Sequence, residues 1–254
     1  MLEKGKLMKS VFLFLFVGVV SFTNTSWKSI EKNPVTKNFG SFETYSESLY
    51  QKLNATNLKF NAFEYALKGY FNLAAKNELQ NSKYLTIIDM SLSSKEDRFF
   101  LIDMKDKKVI HQSKVAHGQN SGLEFAQKFS NKVNSHQTSL GFYKTAETYE
   151  GKHGLSLRLD GLEISNNNAR VRAIVIHSAD YANDTFITKN GRLGRSYGCP
   201  SLPEKDYEQI ISKIKEGSAL FVYYPSKNYL SKSRLANSTI DINNLNISNI
   251  IASN

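Results

Sequence analysis

Cys199 is the chain's single cysteine, and it lies in the run Gly191-Arg192-Leu193-Gly194-Arg195-Ser196-Tyr197-Gly198-Cys199-Pro200. A thiol with no internal disulfide partner, set in a glycine-bracketed and arginine-flanked loop, reads as reactive. Upstream, Ala173-Ile174-Val175-Ile176-His177 has the composition of a buried strand that ends on a histidine. A cysteine nucleophile needs a base to form thiolate, a backbone that exposes sulfur, and donors for the developing oxyanion. His177, held by its apolar neighbours, is the predicted base. Gly198 allows a sharp or positive-φ turn, and the amides of Gly198 and Cys199 are predicted oxyanion donors, since Pro200 has none. Arg192 and Arg195 can hold a carboxylate and lower the thiol's pKa. The bland alternative is a buried cysteine beside a core histidine.

The remaining histidines carry two readings each. His117 and His153 both precede glycine and either line the cleft or make structural hydrogen bonds. His111 and His136 read as surface residues. Zinc held by His117, His153 and His177 would need a close-spaced ligand pair, which the sequence lacks. Asp180 and Tyr181 either orient the base or pack beside it, and Ser178 either meets substrate or ends the strand.

Elements must bring these groups together. Tyr45 to Leu53 can form a short helix. A stronger one starts near Asn61 as N-cap, with Phe63, Ala66, Leu67, Tyr70, Phe71 and Ala74 at helical spacing. From Tyr84 the period becomes two. Predicted strands are Tyr84 to Leu92, Arg98 to Met104, Lys108 to His117, Ser139 to Ala146, Leu155 to Leu162, Val171 to Ala179 and Ser218 to Pro225. Asp103 to Lys107 can turn a hairpin without a strong turn dipeptide. After Pro203 a helix carries Glu204 and Asp206 in its first turn and Tyr207, Ile210, Ile211 and Ile214 on one face, and Gly217 stops it. The expected class is therefore mainly β, with an N-terminal helical segment and one helix after the cysteine.

The 254 residues are 41% apolar with a net charge of +10, enough for a sizeable core and suited to a polyanionic neighbourhood. The basic residues are scattered, with no zinc-finger spacing, P-loop or RNA-binding signature, so no nucleic-acid partner is expected. Lys4, Lys6 and Lys9 precede the apolar run Val11 to Val20, the pattern of a secretory signal peptide. An uncleaved anchor is the alternative, although the run falls short of the ~20 residues a span needs. The expected division is 1–25 signal peptide, 26–82 linker and helical segment, 83–226 catalytic domain, and 227–254 a mobile Asn/Ser-rich tail. The mature chain is expected to be exported to the periplasm or cell envelope, with no stable membrane span.

His177-Ser178-Ala179, a spacer from 180 to 195, and Ser196-Tyr197-Gly198-Cys199 together resemble the signature of the murein L,D-transpeptidase catalytic domain family. Phe129-Ser130-Asn131, Ser139-Leu140-Gly141-Phe142-Tyr143 and the stretch Gly151 through Leu162 add to the likeness, which spans roughly 84 to 225 and is fainter from about 45. Tyr197 stands where the common pattern has a second histidine. Pro200 and Ser201 replace the usual aliphatic residue and the Arg or Asn after it. The resemblance implies a β-sandwich-like domain and acyl transfer on peptidoglycan stem peptides without a cofactor. Cys199 would be the nucleophile, His177 the base and Gly198 part of the catalytic loop. Ser178, Arg192, Arg195, Ser196, Tyr197, His117, His153 and Tyr143 would contact substrate. It also implies a carbapenem target. With water as acceptor the same site is an L,D-carboxypeptidase. A chain that keeps the fold without the chemistry is a peptidoglycan-binding module.

Overall fold

A computed structural model of the chain describes residues 40–243 and 245. The expected signal peptide, the linker to residue 39 and the end of the tail lie outside the described residues.

Helix α1 (Phe42–Leu53) starts earlier than apolar spacing predicts, because Ser41 caps it: its Oγ accepts from the Thr44 N–H at 3.3 Å. Asn54 ends it in the left-handed region. Helix α2 (Phe60–Ala75) also starts early. Asn61, the predicted N-cap, is an exposed position inside the helix, and Lys59 holds the cap position without a side-chain bond. The buried face of α2 meets the sheet closely at Gly69, where a Cβ would stand 2.1 Å from the Phe142 ring.

Eight strands follow: β1 (Tyr84–Asp89), β2 (Phe99–Asp103), β3 (Lys108–Ser113), β4 (Gly141–Gly151), β5 (Gly154–Gly161), β6 (Val175–Ser178), β7 (Ser201–Leu202) and β8 (Ala219–Tyr223). The mostly β reading holds, and the strands form one mixed sheet in the order β3-β2-β1-β8-β4-β5-β6-β7. Successive residues of β2 and β8 are all buried, so both faces of the sheet's middle are covered and their alternation is muted. The β2–β3 turn is made by Asp103, whose Oδ1 accepts from the N–H groups of Lys105 and Asp106 at 3.0 and 2.9 Å. A side chain supplies what no turn dipeptide announced.

Isolated bridges pair Ala116 with Ser201 and Gly118 with Ser196, so the segment after β3 reaches across to β7 and the cysteine loop. The two ends of the sheet meet there, giving a near-barrel. Strand β7 and helix α3 (Asp184–Asn190) were not expected. The predicted helix after Pro203 is α4 (Tyr207–Ile214), which buries Ile210, Ile211 and Ile214. Glu204 stands outside it and accepts from the Asn183 side chain at 2.8 Å instead of serving the helix dipole.

Residues 227–243 are packed, contrary to the mobile tail expected from their Asn/Ser content. Helix α5 (Lys227–Leu230) and the turns after it bury Tyr229, Ser233, Ala236 and Ile242. Tyr229 and Ser233 hydroxyls both donate to the Glu163 carboxylate. Among the described residues no helix is long and apolar enough to cross a membrane.

Candidate active site

The parallel β6–β7 register pairs His177 with Ser201 and Ser178 with Leu202. Cys199 precedes Ser201 by two residues, which sets the thiol beside the start of β6, while His177 stands two residues further along that strand than Val175. The cysteine loop is shaped from both sides. The Ser196 N–H donates to the His117 carbonyl at 3.0 Å, and the Gln119 N–H donates to the Ser196 carbonyl at 2.8 Å. Within the loop, the Ser196 Oγ accepts from the Gly198 N–H at 3.0 Å and donates to the Cys199 carbonyl at 2.6 Å. Gly198 has φ +125, and a Cβ there would lie 2.9 Å from the Gln137 carbonyl oxygen and 3.0 Å from the Arg172 guanidinium. One predicted oxyanion donor, the Gly198 amide, is thus already engaged. The Cys199 N–H donates to no group among the described residues.

His177 is buried, and its Nδ1 lies 2.7 Å from the Ser178 carbonyl oxygen. A carbonyl only accepts, so the proton sits on Nδ1 and Nε2 is left as the basic nitrogen. The base is therefore oriented by the Ser178 main chain; Asp180 instead accepts from the Tyr181 N–H at 2.6 Å. Nε2 lies 3.0 Å from the Ser201 Oγ, which lies 3.0 Å from the Tyr181 hydroxyl. Burial holds His177 below the ordinary imidazole range against the Ser178 carbonyl, with smaller depression from His153 and Lys152. Both of those residues sit at the two-residue tip of the β4–β5 hairpin. The exposed His153 ring stacks on His177 at 4.5 Å and 24°. His153 thus packs against the predicted base.

The Cys199 thiol is half-buried and points at the Ala173 carbonyl, 3.7 Å from Sγ. No hydrogen bond joins it to His177 among the described residues, so the predicted nucleophile and base do not form a hydrogen-bonded pair here. Burial pushes the thiol up, while the Val175 backbone, Arg172 and Lys152 pull it down. The net shift is upward, so the resting site holds a neutral thiol and a neutral imidazole.

The cation beside the thiol is Arg172, which the sequence reading missed. It donates Nη1 to the Ser130 carbonyl at 2.9 Å and to the Ser139 hydroxyl, and Nη2 to the Gln137 carbonyl at 2.6 Å and the Ser135 Oγ at 3.2 Å. It therefore pins the loop 130–139 against the cysteine. Nothing in the sequence separates it from Arg170, which faces solvent and pairs with Glu147 and Asp160. The two arginines predicted for this role are loop ties. Arg192 bonds the Leu193 carbonyl at 2.7 Å, and Arg195 bonds those of Gln119 and Gly122 at 2.9 and 3.1 Å.

Three further expected substrate contacts belong to the scaffold. His117 is fully buried, its Nδ1 accepting from Arg98 at 2.8 Å, and burial followed by the Arg98 charge pushes it down to about 3. Tyr143 is buried and donates to the Ser139 carbonyl at 3.0 Å, and Ser196 is the internal peg described above. The Ser178 contribution is its carbonyl. Tyr197 is 68% exposed and stacks on the half-buried His136 at 4.3 Å. His111 is half-buried, edge-on to Phe99. Among the described residues no three His, Cys, Asp or Glu side chains are grouped to hold a metal ion.

Comparison with known proteins places these features in a family. Residues 54–223 match the model of the L,D-transpeptidase catalytic domain, a span that takes in α2 and the whole sheet. Among curated proteins nothing matches the sequence. Similar solved structures include an L,D-transpeptidase from Mycobacterium smegmatis, with 13% identity, a TM-score of 0.35, and coverage of 56% of this chain and 59% of that one. Another is the LD transpeptidase LdtMt1 in complex with imipenem, with 12% identity, TM-score 0.35 and the same coverage of 56% and 59%. A third is an L,D-transpeptidase from Stackebrandtia nassauensis, with 11% identity, TM-score 0.35, and coverage of 72% and 78%. The chain thus spans 59% of the length of the first two structures. On the family match, which takes in His177 and Cys199, this chain belongs to the L,D-transpeptidase catalytic domain family.

Proposed function

We propose that the protein is an exported cysteine acyltransferase that cross-links peptidoglycan stem peptides. The observation that carries this is the His177 imidazole, fixed as the Nδ1–H tautomer by the Ser178 carbonyl, on the strand whose partner β7 begins two residues after Cys199. The thiol gives its proton to Nε2 of His177, and the thiolate attacks the carbonyl of the diamino acid at stem position three. The Cys199 N–H, without a partner among the described residues, is the oxyanion donor. Collapse of the tetrahedral intermediate breaks the peptide bond to the terminal D-alanine, whose amine takes the proton from His177. The side-chain amine of a neighbouring stem then attacks the thioester, giving a 3→3 link and restoring the thiol. Lys152 on the hairpin tip lends positive charge to both Cys199 and His177, and its neighbour His153 stacks on His177. Periplasm or cell envelope is the location that this substrate requires.

Incubation of purified protein with muropeptides tests the reading. Wild type forms 3→3 dimers and releases D-alanine, Cys199→Ala forms neither, and a carbapenem adds covalently to wild type alone by intact mass. Unchanged cross-linking by the Ala variant removes the acyltransferase assignment. D-alanine release without dimers moves the acceptor to water.

A further inference from the structure

The direction of every hydrogen bond around the basic nitrogen of His177 is fixed by elimination. Nδ1 donates to the Ser178 carbonyl, so Nε2 can only accept. The Ser201 hydroxyl, 3.0 Å away, must then be its donor. With its one hydrogen so used, the Ser201 Oγ can only accept from the Tyr181 hydroxyl, 3.0 Å on. The chain runs one way, Tyr181 to Ser201 to His177. Ser201 is fully buried in β7, and Tyr181 is held by the close backbone of Gly194, whose added Cβ would lie 2.4 Å from the Tyr181 Cβ. Meanwhile the thiol is turned to Ala173.

We infer that Ser201 and Tyr181 are positioning residues that hold the base in reserve, their hydroxyl chain filling the Nε2 site until Cys199 turns into it. On turning, the Ser201 hydroxyl rotates so that its hydrogen points to the Tyr181 oxygen, and the Tyr181 hydrogen turns to solvent or substrate. The thiol hydrogen then passes from Sγ to Nε2, leaving thiolate and imidazolium. No atom is gained or lost, and the chain reverses when His177 reprotonates the leaving amine. The other groups facing His177 and its carbonyl partner are Lys152 and His153 on the hairpin, Cys199 on its loop, and Tyr207 with Glu208 on α4 beside Ser178. None of these donates to Nε2. The inference uses the proposed function only for the role of His177 as base.

The rate at which iodoacetamide alkylates Cys199, followed by intact mass across pH, tests this without any peptidoglycan. Ser201→Ala opens Nε2 to the thiol, so alkylation near neutral pH rises by about fivefold, the worth of one neutral hydrogen bond. Its pH profile also moves to lower pH. Ser201→Thr, which keeps a hydroxyl, returns the wild-type profile. Tyr181→Phe, which leaves β7 untouched, gives a smaller gain of the same sign by removing the donor to Ser201. Adding His177→Ala to Ser201→Ala cancels the gain. An unchanged or slower rate in Ser201→Ala, or a gain that survives loss of His177, overturns the inference. Failed muropeptide cross-linking with this alkylation pattern intact would instead discard the proposed function alone.

Discussion

Gly198 sets where the sulfur can be. Its φ of +125 is a conformation that side chains rarely adopt, and a Cβ would also press on the Gln137 carbonyl at 2.9 Å. Gly191, in the same loop, has φ +71 but nothing within 4 Å of a Cβ. The two glycines separate backbone strain from crowding. Gly191→Ala should cost about 1 kcal/mol in unfolding free energy and leave carbapenem acylation near wild type. Gly198→Ala should cost roughly 2–4 kcal/mol and slow acylation by at least ~10-fold, because main-chain atoms must shift under the nucleophile. Equal losses in denaturant melts and acylation rates would show that crowding at Gly198 has no part. Cys199 and His177, the proposed nucleophile and base, could be picked out because a single cysteine and a histidine near the end of an apolar strand are rare features with one shared chemistry. Arg172 was not, since in sequence it is one arginine among several, and only folding puts it, rather than Arg192 or Arg195, beside the thiol. The orienting group of His177 was equally hidden, because a backbone carbonyl has no sequence signature.

At the level of elements, a paired hairpin and an unpaired loop flank the candidate site. The β4–β5 hairpin stays in the sheet past the register shift after Thr145, where Leu157 and Arg158 pair with β6, and its tip carries Lys152 and His153 over His177. The loop 130–139 has no strand pairing and is held by the Arg172 bonds to its carbonyls and hydroxyls. Arg172→Met keeps the apolar stem but removes those bonds and the charge beside sulfur. It should lower stability by roughly 2–4 kcal/mol, speed amide hydrogen exchange across 130–139, and raise the pH at which Cys199 alkylates. Arg172→Lys should recover the alkylation profile more than the exchange protection, since a point charge cannot reproduce the planar fork. Exchange unchanged by the Met variant would mean the loop is held some other way. All seven predicted strands exist because long β-branched and aromatic runs record burial directly. Strand β7 escaped because two residues carry no period, and it forms only because β6 lies alongside. The α1 start and the β2–β3 turn were displaced or unannounced because single side chains, Ser41 and Asp103, set them. Residues 227–243 misled in the opposite sense: Tyr229, Ala236 and Ile242 are few among Asn and Ser, yet they suffice to dock the segment.

Across the whole molecule, closure of the sheet runs through a buried cation, Arg98, and its neutral partner His117. Arg98 is fully buried and donates to the carbonyls of Leu92 and Val115 and to His117, and the main chain of His117 in turn clamps Ser196 in the cysteine loop. A protonated His117 would set a second positive charge against Arg98 away from water, which is why burial and Arg98 together hold it at about 3. In the unfolded chain it returns to about 6.5. Between those values the unfolded state binds a proton that the native state does not, so stability falls as pH falls. The loss begins below about 6.5 and grows by up to about 1.4 kcal/mol per pH unit, with the depressed His177 adding in the same direction. Melting temperature measured between neutral and about pH 4.5 should therefore drop steeply in wild type. His117→Asn, whose side-chain oxygen can still accept from Arg98, should be less stable at neutral pH but show a flatter descent. The His117 ring resonances should stay in the neutral form through this range. A ring that titrates near 6, or a slope the Asn variant leaves untouched, would place the acid sensitivity elsewhere. Because the same residue clamps the cysteine loop, Cys199 acylation should decline along the melting curve's acid limb rather than with a separate, sharper transition.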